Sequence, residues 1–135
     1  MSAEWYLQAH SDGDEQFIPL TKIRSVLSSY PSKTEETCAV VTLPEGDVGF
    51  YMDLSDEISG LMIARPVEST GLNRIIYEIM QYGRFIFFAP DAKFPIILHP
   101  EVMGHLPEDM LDALGKPQIA DSLEVFSRLL QEMYE

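Results

Sequence analysis

The chain has a single cysteine in 135 residues, Cys38. No intramolecular disulfide is available, and a reducing cytoplasm is the simplest setting. Basic residues are scarce: nine Lys+Arg stand against 22 Asp+Glu, a formal net charge of −13. That balance argues against a basic nucleic-acid-binding face, and the same field repels anionic membranes. No apolar run approaches the roughly 18 residues that a membrane-spanning helix needs. The opening Met1-Ser2-Ala3-Glu4-Trp5 has neither the basic region nor the apolar region of a secretory signal. The eight glycines stand singly, at 13, 46, 49, 60, 71, 83, 104 and 115. No dinucleotide fingerprint or P-loop arises from them, and no G-x-S-x-G elbow exists. No cofactor is implied.

Hydrophobic residues make up 46% of the chain and charged residues 23%. Apolar content this high offsets the entropy of ordering, and the length suits one hydrophobic core. Residues 1–60 hold 11 acids and 3 bases, and residues 61–135 hold 11 acids and 6 bases. With no acidic tail to carry the excess, the folded surface itself must be acidic. There is no repeat and no internal linker, so residues 1–135 read as a single domain.

Trp5 to His10 reads as a short first strand, ended by the turn-forming Ser11-Asp12-Gly13-Asp14. Pro19 opens a helix over 19–30, with Leu20, Ile23, Val26 and Leu27 at helical spacing and Pro31 as its stop. Residues 32–36 read as a polar loop. Cys38 to Leu43 is a buried strand, with Cys38 as a small core hydrophobe. Val48, Phe50, Met52 and Leu54 alternate with more polar residues, the period of a half-buried strand. Ile58 to Ala64 follows, with Gly60 at a bulge or a tight contact. Short connections make these three strands an antiparallel meander.

Leu72, Ile75, Ile76, Ile79 and Met80 form the clearest amphipathic stripe. It is capped by Ser69 or Thr70 and ended by Gly83 in a left-handed conformation. Residues 84–89 are a buried strand, so 58–89 can form a strand–helix–strand crossover. Residues 94–98 are an edge strand, because Pro95 cannot donate to a ladder. A short helix starts at Pro107 and stops at Gly115. Asp121 and Glu124 resemble a capping box for the last helix. The fold class is α+β: about five or six mostly antiparallel strands against helices at 19–30, 71–82 and 121–134.

Two clusters bear chemistry. His99, Glu101 and His105 could hold zinc, although their spacing matches neither a helical pair nor a finger. Asp53, Asp56 and Glu57 gather at one strand end, as an exposed acidic turn or a contact for a basic partner. They fit no EF-hand. Asp12, Asp14 and Glu15 form a second acidic turn, and His10 beside it is expected to have raised basicity but no role. Among Trp5, Tyr6, Tyr51, Tyr77, Tyr82 and Tyr134, Tyr51 stands out. It faces away from Val48, Phe50 and Met52, sits near Asp53, and is of a type enriched at binding hot spots.

From Arg65 onward the order is Arg65-Pro66, a helix with Leu72 and Ile75-Ile76, then Gly83 and a strand ending at Pro90-Asp91. Leu106-Pro107, Met110, Leu114-Gly115-Lys116-Pro117 and a final segment from Ser122 complete it. This layout resembles the small acidic α+β immunity proteins of bacterial polymorphic toxin systems. The resemblance covers the second half of the chain and carries over no functional residue. It implies a cytoplasmic, non-enzymatic protein that neutralises a cognate toxin by binding it. The partner-binding candidates are then Tyr51, Asp53, Asp56 and Glu57, followed by Asp12, Asp14 and Glu15, and the partner is a basic protein, a toxin or effector. Two other readings stay open: a metal-dependent hydrolase using His99, Glu101 and His105, and a cytoplasmic adaptor or chaperone for a secreted effector. A homodimer would use the strand at 94–98 or the last helix.

Overall fold

The computed structural model describes residues 4–35, 37–53 and 55–134. Leu54, placed in the second meander strand by its period, lies outside them. The fold is α+β and its centre is the first strand, β1 (Glu4–Ser11). The Asp12-Gly13 turn has positive φ at both residues, 51° and 85°, which suits a tight two-residue hairpin. It leads into β2 (Asp14–Glu15), which pairs back on β1. A short strand, β3 (Ile18–Pro19), runs straight into α1 (Leu20–Leu27).

Residues 32–34, expected to be loop, form β4 (Ser32–Thr34), an edge strand with every side chain exposed. β5 (Cys38–Leu43) and β6 (Gly46–Tyr51) follow as an antiparallel hairpin. The expected strand at 58–64 divides at Ser59. β7 (Glu57–Ile58) pairs with β3, while β8 (Gly60–Ala64) joins β6 and completes the meander. Gly60 marks a tight contact: a Cβ there would lie 2.9 Å from the Leu7 carbonyl oxygen.

α2 (Thr70–Met80) buries Leu72, Ile75, Ile76, Ile79 and Met80. Ser69 caps it, its hydroxyl accepting the Leu72 N–H at 3.2 Å. Gly83 is not left-handed. A Cβ there would lie 2.5 Å from Ile18 Cδ1, so any side chain at 83 would have to displace the end of Ile18. β9 (Phe85–Phe88) then pairs with β1. Since β8 and β9 are both antiparallel to β1, they run in the same direction with β1 between them, the crossover expected for 58–89.

The strand at 94–98 is shorter and is not an edge. β10 (Ile96–Ile97) is paired on one side with β9 and on the other, in parallel, with β11 (Gln118–Ile119). Pro95 stays outside the ladder and uses only its carbonyl, which accepts the Gln118 N–H at 2.9 Å. An edge-strand dimer through 94–98 is thereby removed. Between β10 and β11 lie a 3-10 helix (Pro100–His105) and α3 (Glu108–Leu114), which Gly115 ends at φ 87°. α4 (Leu123–Glu132) closes the chain. Its cap is Ser122, which accepts the Val125 N–H at 3.2 Å, and not Asp121.

Among the described residues the main sheet has nine strands, more than the five or six expected, in the order β11-β10-β9-β1-β8-β6-β5-β4 with β2 beside β1. The additions are two- and three-residue strands with no hydrophobic period to announce them. Successive side chains leave a strand on opposite faces. One face of β1 therefore carries Trp5, Leu7 and Ala9 into the main core under α1, α2 and α4. An aromatic chain links the layers there: Trp5 to Phe87 at 5.3 Å and Phe87 to Phe126 at 5.7 Å, both edge-on. On the other face, Ile86 and Ile97 join Val102 and Leu106 in a second cluster, against which Met110, Leu111 and Leu114 of α3 pack.

Gly60→Ala should lower the unfolding free energy by about 1–3 kcal/mol, because the new methyl meets backbone that cannot swing away. Gly104→Ala, with nothing within 4 Å of the new Cβ, should stay within roughly 0.5 kcal/mol of the parent. Urea unfolding of the pair measures the difference.

Candidate protein-binding surface

The register gathers the predicted acids at one end of the sheet. β6 ends level with Tyr6 of β1, and β8 and β9 begin level with Gln8 and Ala9, all on the side toward which β1 runs. The connecting segments 11–15 and 51–59 therefore lie together, with six carboxylates and no basic residue in either. Asp12, Asp14, Glu15, Asp53, Asp56 and Glu57 are all exposed. Backbone and side chain tie the segments. The Asp56 carbonyl accepts the Leu20 N–H at 2.9 Å, Pro19 pairs with Glu57, and the Ser59 hydroxyl donates to Glu15 Oε1 at 3.0 Å. Ser55 donates from its hydroxyl to the Glu57 carbonyl at 2.7 Å, fixing the second acidic turn.

Tyr51 stands at this end, 39% exposed. Across the ladder it opposes Met62, Met62 opposes Tyr6, and Tyr6 opposes Phe88. Tyr51, Met62, Tyr6 and Phe88 thus form one row across four strands, on the face away from the main core. Tyr6 and Phe88 stack with centroids 5.4 Å apart. Cys38 opposes Tyr51 on the next strand and is buried, as its apolar strand context implied. The 3-10 helix and α3 cover the β9–β10 half of this face. Tyr6 and Met62 are only partly buried, and Gly49 and Ala64 beside the row add little bulk. The sequence singled out Tyr51 and noted Tyr6. It missed Met62 and Phe88, because only the strand order places them in line.

His99, Glu101 and His105 do not form a centre. Among the described residues no group of three His, Cys, Asp or Glu side chains is placed to hold a metal ion. His105 turns instead to the acidic hairpin. Its Nδ1 accepts the Asp12 backbone N–H at 3.1 Å and lies 3.5 Å from Asp12 Oδ1, and its carbonyl accepts the Gly13 N–H at 2.9 Å. The residue with metal-ligand chemistry thus holds the acidic turn in place.

His10 also departs from expectation. It is 7% exposed, and neither ring nitrogen has a hydrogen-bond partner of good geometry. Burial pushes its pKa below the ordinary histidine value, and the Asp14 backbone and the Glu15 carboxylate oppose this only in part. Proximity to acids suggests a raised value; desolvation wins because the ring is buried.

Away from this face, a pocket of about 370 Å3 lies between β1, α2 and α4, lined by Trp5, Glu68, Asn73 and Tyr134 among others. Hydrogen bonds from Trp5 Nε1 to the Tyr134 hydroxyl at 2.8 Å and from Asn73 Nδ2 to Ser127 Oγ at 3.3 Å brace its walls. Comparison of the chain with protein-family models, curated proteins and solved structures finds no significant match.

A histidine whose folded pKa is depressed takes up its proton in the unfolded chain first. Its contribution to stability is complete above the unfolded value of about 6.5 and is lost as pH falls from there through the folded value. Urea titrations at successive pH values should show His10→Gln losing less stability than the parent over that interval. Equal losses would mean His10 is not the group responsible.

Proposed function

We propose that this is a non-enzymatic binding protein that captures a basic protein partner on the half-covered sheet face and its acidic end. The most concrete form of the reading is a cytoplasmic bacterial immunity protein that neutralises a cognate toxin. The observation that carries it is the Tyr51–Met62–Tyr6–Phe88 row, whose Tyr51 end leads into the acidic segment of Asp53, Asp56 and Glu57, tied in turn to the acidic hairpin through Glu15. Aromatic and methionine side chains supply desolvated contact area, while carboxylates steer a basic partner and set its orientation. The overall charge of −13 extends the same attraction over the molecule.

The partly exposed apolar row also favours a second reading, an adaptor or chaperone that holds an apolar segment of a secreted effector. The two differ in consequence: an inhibitor abolishes its partner's activity, whereas an adaptor leaves it intact or delivers it. Among the described residues, the hydrolase reading has no gathered ligand set to support it.

Affinity capture from the native lysate at low and high salt, followed by an activity assay of the retained protein, tests the proposal. One basic protein, retained stoichiometrically at low salt and silenced by the complex, is the expected result. Joint reversal of Asp53, Asp56 and Glu57 to lysine should cut the association rate about tenfold or more and flatten its salt dependence. Tyr51→Ala should weaken affinity by about 2 kcal/mol, mostly through faster dissociation. Unchanged affinity and salt slope in both variants would remove this surface as the interface.

A further inference from the structure

His10 lies between two cavities. One, of about 480 Å3, is an open cleft between α3 and β1–β9, floored by Gln8 and His10 and walled by Phe88, Met110 and Leu114, with Asp109 at its mouth. The other, of about 220 Å3, reaches toward the acidic end, where Glu15 and Ser59 join Gln8 and His10. Among the described residues, no lysine or arginine lines either one. Arg84, opposite His10 across the β1–β9 ladder, is absent from both linings. Neither imidazole nitrogen makes a hydrogen bond of good geometry; the Asp14 backbone acts on the ring, and a buried acceptor nitrogen left over is costly unless something hydrogen-bonds it.

We infer that this cleft is a subsite for a basic side chain, an arginine or lysine, of the protein partner. The inference rests on the proposed function, since the cleft opens beside Phe88 at the covered end of the binding row. An extended aliphatic stem fits the Phe88, Met110 and Leu114 walls. The cationic head then donates to the acceptor nitrogen of the imidazole and to the Gln8 side-chain amide oxygen, with the Asp109 carboxylate at the mouth of the cleft and the Glu15 carboxylate in the cavity beyond His10. The anchor gives a specific seat for one charge, which the exposed carboxylates alone do not.

The test uses the isolated protein and a small probe, N-acetyl-arginine N-methylamide, with the citrulline analogue as its uncharged isostere. Amide and methyl NMR titration should show saturable binding centred on Gln8, His10, Met110 and Ala113, with no saturable response to the citrulline analogue. His10→Phe should weaken the arginine probe about tenfold. Ala113→Trp, a neutral change at an exposed α3 position on the cleft, should do the same without touching the core. Shifts that spread over the exposed carboxylates without saturating would overturn the assignment. So would equal binding of the citrulline analogue, or full affinity in the Ala113→Trp variant. Because no partner is present, this outcome is separable from that of the capture experiment. A partner retained through the acidic end with no probe binding sinks the subsite alone. Probe binding with no effect of either the charge reversals or Tyr51→Ala on partner capture leaves the cleft and sinks the wider reading.

Discussion

β1 can lie between β8 and β9 only because α2 carries the chain over it, and most of the remaining structure follows from that insertion. Its partners are more than 50 residues away in sequence, so closing these ladders costs chain entropy before any contact offsets it. Both faces of the strand contribute to the offset. Trp5, Leu7 and Ala9 enter the main core, where Trp5 meets Phe87, while Tyr6 stacks on Phe88 beyond the opposite face. The fit is close enough that position 60 has no room for a Cβ against the Leu7 carbonyl. The same insertion sends Ser11, Gly60, Phe85 and Tyr51 to one end of the sheet, and that is what brings two distant acidic segments together.

The two faces are covered unequally. Three helices seal one, whereas the 3-10 helix and α3 reach across only the β9–β10 side of the other. That second layer has two further consequences. His105 leaves it to hold the Asp12-Gly13 turn, and α3 forms one wall of the cleft over His10. The acidic end, the cleft and the aromatic row are therefore mechanically connected through one small element. Clustered carboxylates with no bases in their own segments repel one another and lower stability. Hydrogen bonds from Ser59 and the Asp12 turn fix the geometry but do not cancel that charge.

Local physics was legible in the residues. The stripe from Leu72 to Met80, the Ser69 cap and the burial of Cys38 depend on neighbours within a few positions, and the β5–β6–β8 meander on strands joined by short connections. What depended on distant partners was not. β4 and β11 have no apolar period and exist because a neighbouring strand offers its free edge. Pro95 pointed to an edge, yet the ladder avoids it by starting at Ile96. Gly83 looked like a helix stop and is instead a point of close approach to Ile18. The acids and Tyr51 were visible as residue types, but their assembly with Met62 and Phe88 required the strand order. For His10 the sequence shows charge proximity but not burial, and burial decides its pKa.

Dimensions constrain how such a face can be used. Four side chains in a row across a sheet span three inter-strand steps, roughly 14 Å. A strip of that length and one side chain wide is far below the roughly 800 Å2 per partner of a stable complex. The row can therefore serve only as the centre of a contact, and the surrounding area must come from its margins. On the β9 side the margin is α3 and its cleft; toward β6 and the strand ends it is the acidic turns. A partner large enough to be held must extend over both, so its surface needs an apolar centre set within basic residues. Charge at the margin then governs encounter and register, while desolvation of the row governs how long the complex lasts.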